Sequence, residues 1–416
     1  MSVWSARFGD DSNPGDQVRT IHLKWAGSTP SAVASAPGTW SLIGEHSDYA
    51  GGVVLMTLLQ LRAWVAVSPR PDSQVKVCEY AVDDRGVVSQ HSTSSAPVGA
   101  LVHTHCENRA QQLAGLVATM MSRQMLSRET KGVDITVVSE IPPASGLGGD
   151  AAIEVACGLA LAAKVDDLDS PPMKAKLADV CFQAACHGDG DWPLRARYTA
   201  SLRGREGVIN IIDYADFSIT QASHPLSGSM RSKAVAIIPP HSGADVAALA
   251  ARQHFVEEAT RAFGAESLRL LPDASTRVID WLKAVHQAGL DMELPPVDQA
   301  RAWMEFQSKE LALVQLVTQA VRSRKVSDVF PAINQSQDLL FSLLGLAGVD
   351  REVSSLCLSR GAVAARAAFA GVSSTVVAFV PELKFKNFCA DLAHDGFGVV
   401  PLDFGVPATV DDSDSD

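Results

Sequence analysis

Apolar positions follow two different patterns along this chain. In the first half they form short runs: Val53 to Leu61, Ala63 to Val67 and the alternating Val133 to Ile141, each of which predicts a strand. Between them, Leu113, Leu116, Val117 and Met120 recur at helical spacing and predict a helix over 107–126. After Pro142-Pro143 a glycine-rich turn leads into an alanine-rich helix over 150–164, a helix over 173–186 and a strand over 207–214. Small polar residues over 227–233 suggest a domain junction. A strand over 234–238 follows, and helical spacing then dominates: 244–263, 275–288, 297–323, 329–347 and 351–371. A strand (374–380), a helix (381–393) and a strand (396–402) close the pattern. No internal repeat is evident. The order predicts an α+β protein of two layered domains.

Composition narrows the class. The 416 residues are 47% hydrophobic, enough for packed cores and too many for a disordered chain. The net charge of −12 argues against nucleic acid or a membrane surface as partner. The first residues, MSVWSARFGDDSN, lack the basic start and apolar run of a secretory signal. No stretch approaches the roughly 20 apolar residues that span a bilayer. Seven cysteines without a Cys-x-x-Cys pair predict buried reduced thiols and a cytoplasmic protein. The acidic end, Asp411 to Asp416, predicts a solvated, disordered tail.

Two motifs carry candidate chemistry. The first is Gly44-Glu45-His46-Ser47-Asp48-Tyr49. Carboxylates and an imidazole close together on a loop suit the hydroxyls of a small polyol, although Asp48 could equally cap a turn. The second is Pro142-Pro143-Ala144-Ser145-Gly146-Leu147-Gly148-Gly149-Asp150-Ala151-Ala152. Glycines admit close backbone approach, and the free N–H groups of a helix start attract phosphate. Asp150 could be a helix cap, worth roughly 0.3–1 kcal/mol there. The same carboxylate opposes a phosphate by about 4 kcal/mol at roughly 4 Å and an effective dielectric near 20. A bridging Mg²⁺ would reverse that sign. Such a loop is either empty of nucleotide or more dependent on metal than most.

The stretch from Ala36-Pro37-Gly38 through Leu42 to Tyr49 and on to Gly51-Gly52-Val53-Val54-Leu55 resembles the N-terminal signature of galactokinases, in the GHMP kinase superfamily. The resemblance extends over roughly 25–402. It implies a two-domain GHMP kinase fold. The expected division is an N-terminal α/β domain over 1–225 with both motifs, a mainly helical α+β domain over 226–405, and a tail over 406–416. It also implies that Glu45, His46 and Asp48 bind sugar hydroxyls, and that Gly146, Leu147, Gly148, Gly149, Asp150 and Ala151 form the phosphate loop. Asp150 stands where a family serine serves magnesium and is itself a candidate metal ligand.

Departures from the family run alongside the likeness. The family's catalytic arginine, just after Ala-Pro-Gly, falls on Thr39, and its catalytic aspartate falls on Ala196 when Gly204-Arg205-Glu206-Gly207 is aligned. The family glutamate that holds magnesium falls on Ala184, and a sugar-contacting tyrosine on Leu249. Of a late glycine loop, within Ala367 to Ser374, only Gly371 remains. Asp189 and Asp191, in the loop His187 to Trp192, are the candidate substitutes for a lost base. Arg195 and Arg197 flank Ala196 and are expected at the surface. The resemblance thus implies a binder of galactose or a related small sugar, with phosphotransfer impaired or lost and with ATP and Mg²⁺ bound weakly. The alternatives are an active sugar kinase with rearranged residues, and a regulatory or scaffold protein that binds a protein partner and no sugar.

Overall fold

The computed structural model describes residues 3–4, 8, 13–99, 106–186, 193–226, 231–241, 243, 246–290, 293–346 and 349–411. The chain divides into two compact units. One comprises Ser2–Trp40, Leu58–Glu206 and Asp403–Asp416; the other comprises Ser41–Thr57 and Gly207–Leu402. They are called the loop unit and the signature unit below.

The loop unit is built on strands β1 (Ala32–Ile43), β2 (Val53–Arg70), β3 (Gln74–Val82), β4 (Val88–Pro97), β5 (Gly132–Ser139) and a short β12 (Thr409–Val410), in the order β12-β1-β2-β5-β3-β4. The pair β3–β5 is parallel, whereas β2–β5 and β3–β4 are antiparallel. Its helices are α1 (Pro14–Ala26), α2 (Arg109–Ser122), α3 (Gly149–Leu161), α4 (Pro171–Cys186) and α5 (Arg195–Arg203). Asn13 caps α1 by accepting from Gly15 N–H, and Asn108 caps α2 by accepting from Gln111 N–H. Helix α3 is apolar nearly all round and is buried along its length from Ala151 to Ala160. Buried His22 lies between the hydroxyls of Thr136 and Ser68, 2.9 Å from each.

The signature unit holds the hairpin β6 (Val208–Asp213) and β7 (Ser218–Ser223), with β6 paired to Val53–Met56 of β2. Its second sheet has the order β11-β8-β10-β9, from β8 (Ser232–Ile238), β9 (Ala364–Ala367), β10 (Val376–Pro381) and β11 (Gly398–Leu402). The pairs β10–β8, β10–β9 and β11–β8 are all antiparallel. Helices α6 (Val246–Phe263), α7 (Ala274–Gln287), α8 (Val297–Arg322), α9 (Val329–Ser342), α10 (Val349–Ser359) and α11 (Glu382–His394) complete it. Among the described residues, no helix is long and apolar enough to cross a membrane.

Four expectations need correction. The helix predicted over 351–371 ends at Ser359. Gly361, at φ 98°, turns the chain, and Ala364–Ala367 pairs with β10 instead. The tail expected from residue 406 contributes β12, which pairs with Ala34 and Ser35 of β1; residues 412–416 lie outside the described residues. The two motifs were expected in one N-terminal domain, but Ser41–Thr57 clusters with Gly207–Leu402. The cause is distant partners: Gly44 is hydrogen-bonded to Glu310, Glu45 and His46 to Ala370, and Glu45 is ion-paired with Arg366. Of the seven cysteines, Cys186 is exposed and Cys106 half-buried, while the other five are buried.

Candidate functional site

In the signature unit, β1 delivers Gly44 to a tight bend, and a single 3-10 turn runs from Asp48 to Ala50. Glu45 and His46 are fully buried, and Asp48 is half-buried. Glu45 Oε1 accepts from Ala370 N–H at 3.2 Å and lies 3.1 Å from Arg366 Nη1. His46 Nε2 lies 2.8 Å from the Ala370 carbonyl. A carbonyl can only accept, so Nε2 carries the proton. Burial lowers His46 to about 4, against the opposing pull of Glu45, and the ring is neutral at pH 7. Its ring stacks on Phe369 at 5.7 Å.

Behind this loop lies a second carboxylate, Glu310 of α8. It is fully buried, accepts from Gly44 N–H at 2.9 Å and from Ser336 Oγ at 2.8 Å, and lies 3.4 Å from Arg366 Nη2. Burial raises its pKa, and Arg366 opposes the rise. Arg366 also donates from Nε to Ser336 Oγ at 2.9 Å. One guanidinium thus serves two buried carboxylates, an arrangement in which losing one partner strands the others. Arg252 of α6 donates to the His46 carbonyl, to Tyr49 Oη and to Gln307 Oε1, and so fixes the loop from the other flank.

In the loop unit, residues 142–148 lead into α3. Gly148 is the N-cap residue at φ 78°, with no side-chain cap on the helix. A Cβ there would stand 2.6 Å from both Arg197 Nη1 and Thr39 Oγ1, so the position admits only glycine. Thr39 N–H donates to Leu147 O at 2.8 Å. Arg197 donates from Nη1 to Thr39 O and from Nη2 to Gly146 O, each at 2.6 Å. It is 3% exposed, contrary to the surface position expected of it. Its long side chain reaches from α5 to the carbonyls of the loop, which burial would otherwise leave unpaired. Arg195 pairs with Asp179 at 2.6 Å.

Asp150, in the first turn of α3, pairs with Arg109 of α2 at 2.7 Å, and Arg109 also holds Glu79 at 2.9 Å. The like-charge cost expected of Asp150 is therefore offset locally by a guanidinium. One turn further along α3, Glu154 is fully buried and accepts from Tyr198 Oη at 2.6 Å and from Gln112 Nε2 at 2.7 Å. Burial pushes its carboxyl up to about 7, against the pull of those two donors. Glu79, Asn108, Arg109, Asp150, Glu154 and Tyr198 line part of a cavity of about 250 Å³. The free N–H groups at the start of α3 suit a phosphate, but the carboxylates around Arg109 outnumber it.

The structure thus brings Thr39, Gly146, Leu147, Gly148 and Arg197 together, and Glu45 and His46 together. Ala184 and Ala196 are buried and bring no oxygen. Asp150 is held by Arg109, and among the described residues no group of three or more His, Cys, Asp or Glu side chains could hold a metal ion. Asp189 and Asp191 lie outside the described residues. Sequence reasoning passed over Glu310, Arg366, Arg109 and Glu154. Two of these had a visible signal. Glu310 falls on the apolar face of α8 with Phe306, Leu313, Val314 and Val317, and Glu154 interrupts the apolar helix α3.

The fold is that of the GHMP kinases. A crystal structure of Lactococcus lactis galactokinase complexed with galactose matches with a TM-score of 0.73 over 95% of this chain and 99% of that one, at 17% identity. Methanococcus jannaschii mevalonate kinase matches with a TM-score of 0.58 over 90% and 98%, at 11% identity. Residues 22–69 match the galactokinase galactose-binding signature, and residues 112–191 match the GHMP kinases N terminal domain. Galactokinases of Chloroflexus aggregans and Chloroflexus aurantiacus are 30% identical over 145 and 135 residues. Those matches cover 34% and 32% of this chain and the same shares of the relatives, about a third of their length. The chain thus carries the galactokinase galactose-binding signature and the GHMP kinases N terminal domain over those residues, on a GHMP kinase fold.

Proposed function

We propose that this chain is a galactokinase-like protein that binds galactose or a related small sugar through Glu45, His46 and Asp48, and in which phosphotransfer is impaired or lost. One observation carries the second half of the reading. At the aligned catalytic positions, Thr39 and Ala196 are both buried, and the neighbouring guanidinium of Arg197 is spent on Thr39 O and Gly146 O. Neither position supplies a base, and Arg197 is not free to meet a transferring phosphoryl group. A positioned base is typically worth roughly 10²–10⁴ in rate, and a transition-state arginine about 10³–10⁵. Such losses overlap and are not multiplied.

The test is a coupled assay of ATP consumption on purified protein with galactose, its epimers and amino sugars. The expected result is turnover at background. A turnover of about one per second, the low end for kinases, that Asp48→Ala abolishes would restore the active-kinase reading.

A second reading, a regulatory or scaffold protein without sugar, draws on a specific observation: Glu45 and His46 already hydrogen-bond to the chain's own Ala370. A shift in melting temperature with millimolar galactose or an epimer separates the two, since only a sugar binder is stabilised by its ligand.

A further inference from the structure

A ligand hydroxyl that met both Glu45 and His46 would donate to the carboxylate and accept from the imidazole N–H. The peptide of Ala370 does both. Its N–H donates to Glu45 Oε1 at 3.2 Å, and its C=O accepts from His46 Nε2 at 2.8 Å. A sugar cannot take those two positions while the Phe369–Gly371 turn holds them. Yet Glu45 Oε2 is buried with no hydrogen-bond partner among the described residues. A buried acceptor left in that state is costly and is relieved by one donor. The site is closed by the chain itself and remains short of one donor.

The turn is held at two points. Gly371 sits at φ 77°, and a Cβ there would stand 3.0 Å from Leu249 Cδ1 and 3.2 Å from Leu346 Cδ2, so Leu249 packs directly on the turn. On the other side, Arg366 holds Glu45 Oε1 at 3.1 Å, which keeps the carboxylate facing Ala370 N–H. The turn itself is closed by Val372 N–H and Ser373 N–H, both donating to Phe369 O.

We propose that the Phe369–Gly371 turn is a gate over Glu45 and His46, that Leu249 and Arg366 are the positioning residues that keep it shut, and that a small polyol enters only when it opens. This rests on the sugar-binding reading above. The apparent affinity is then the intrinsic one reduced by the fraction of molecules with the gate open. Shortening Leu249 loosens the packing on Gly371, so it raises that fraction and tightens sugar binding although it removes core contacts. A purely structural Leu249 predicts the reverse.

Two measurements on Leu249→Ala test this, with Leu249→Val as the milder variant should the first fold poorly. Hydrogen exchange at the Ala370 amide is expected to quicken at least tenfold relative to amides of β10. Calorimetry with galactose is expected to show affinity at least tenfold above wild type. Exchange at Ala370 that keeps pace with β10 in wild type and variant overturns the gate whether or not sugar binds. Faster exchange with unchanged or weaker sugar affinity also overturns it. Faster exchange with no galactose heat in either protein, at millimolar concentration, supports an opening turn and overturns the sugar-binding reading instead.

Discussion

Glu45 and Asp150 stand at the centres of the two motifs, and they keep opposite company. Glu45 is sealed from solvent, and its Oε1 is held by Arg366 and by a backbone N–H. The side chain of Asp150 is 36% exposed and is answered by one arginine that also serves Glu79. Removing a partner of Glu45 therefore strands an interior charge in a low dielectric, whereas Asp150 and Arg109 sit where water can screen them.

The largest effect that tests the contrast is on stability. Arg366→Ala leaves Glu45 and Glu310 buried without their cation, and breaking such a pair typically costs about 3–5 kcal/mol. Arg109→Ala removes a partly exposed pair and is expected to cost about 1 kcal/mol or less. Urea unfolding of both variants measures the difference. Equal losses would break the comparison.

A slightly smaller effect concerns Glu154, the buried carboxylate of α3. Its folded pKa is raised from 4.5 to about 7. The folded state therefore binds more protons than the unfolded state between those values. The stability Glu154 contributes as the acid is fully present below pH 4.5 and is lost as pH rises through 7. Glu154→Gln keeps the hydrogen bonds of Tyr198 and Gln112 and removes that loss. It is expected to gain on the order of 3 kcal/mol above pH 7 and nothing below pH 4.5. Melts across that range check it. A gain independent of pH would show that Glu154 is ionised in the fold.

The smallest effect is on ligand affinity. Asp150→Ser removes one negative charge at the start of α3 and releases a donor of Arg109. ATP is expected to bind five- to tenfold more tightly, or about 1 kcal/mol, with and without magnesium. Calorimetry reads it directly. Weaker binding confined to the magnesium complex would make Asp150 a metal ligand and place the loop among wired sites.

Much of this was legible along the chain. Helical spacing marks α2, α8 and α9 because one face of each is buried, and burial imposes its period on the sequence. The signature motif identifies the family because its residues are contiguous. The glycine at 148 announces a bend for the same local reason.

What the sequence could not show depends on partners far away in the chain. Arg366 reads as one residue of an alanine-rich helix until β9 pairs with β10 and sets it against Glu45 and Glu310. Arg197 reads as a surface cation until α5 turns it onto the carbonyls of Thr39 and Gly146. Residues 409–410 read as acidic tail until β1 offers them a free edge. The physical reason is common to all three. Periodicity and contiguous motifs record how a segment meets the core, a local property. A buried charge or an edge strand is stable only with its specific distant partner, and that partner is supplied by the tertiary structure alone.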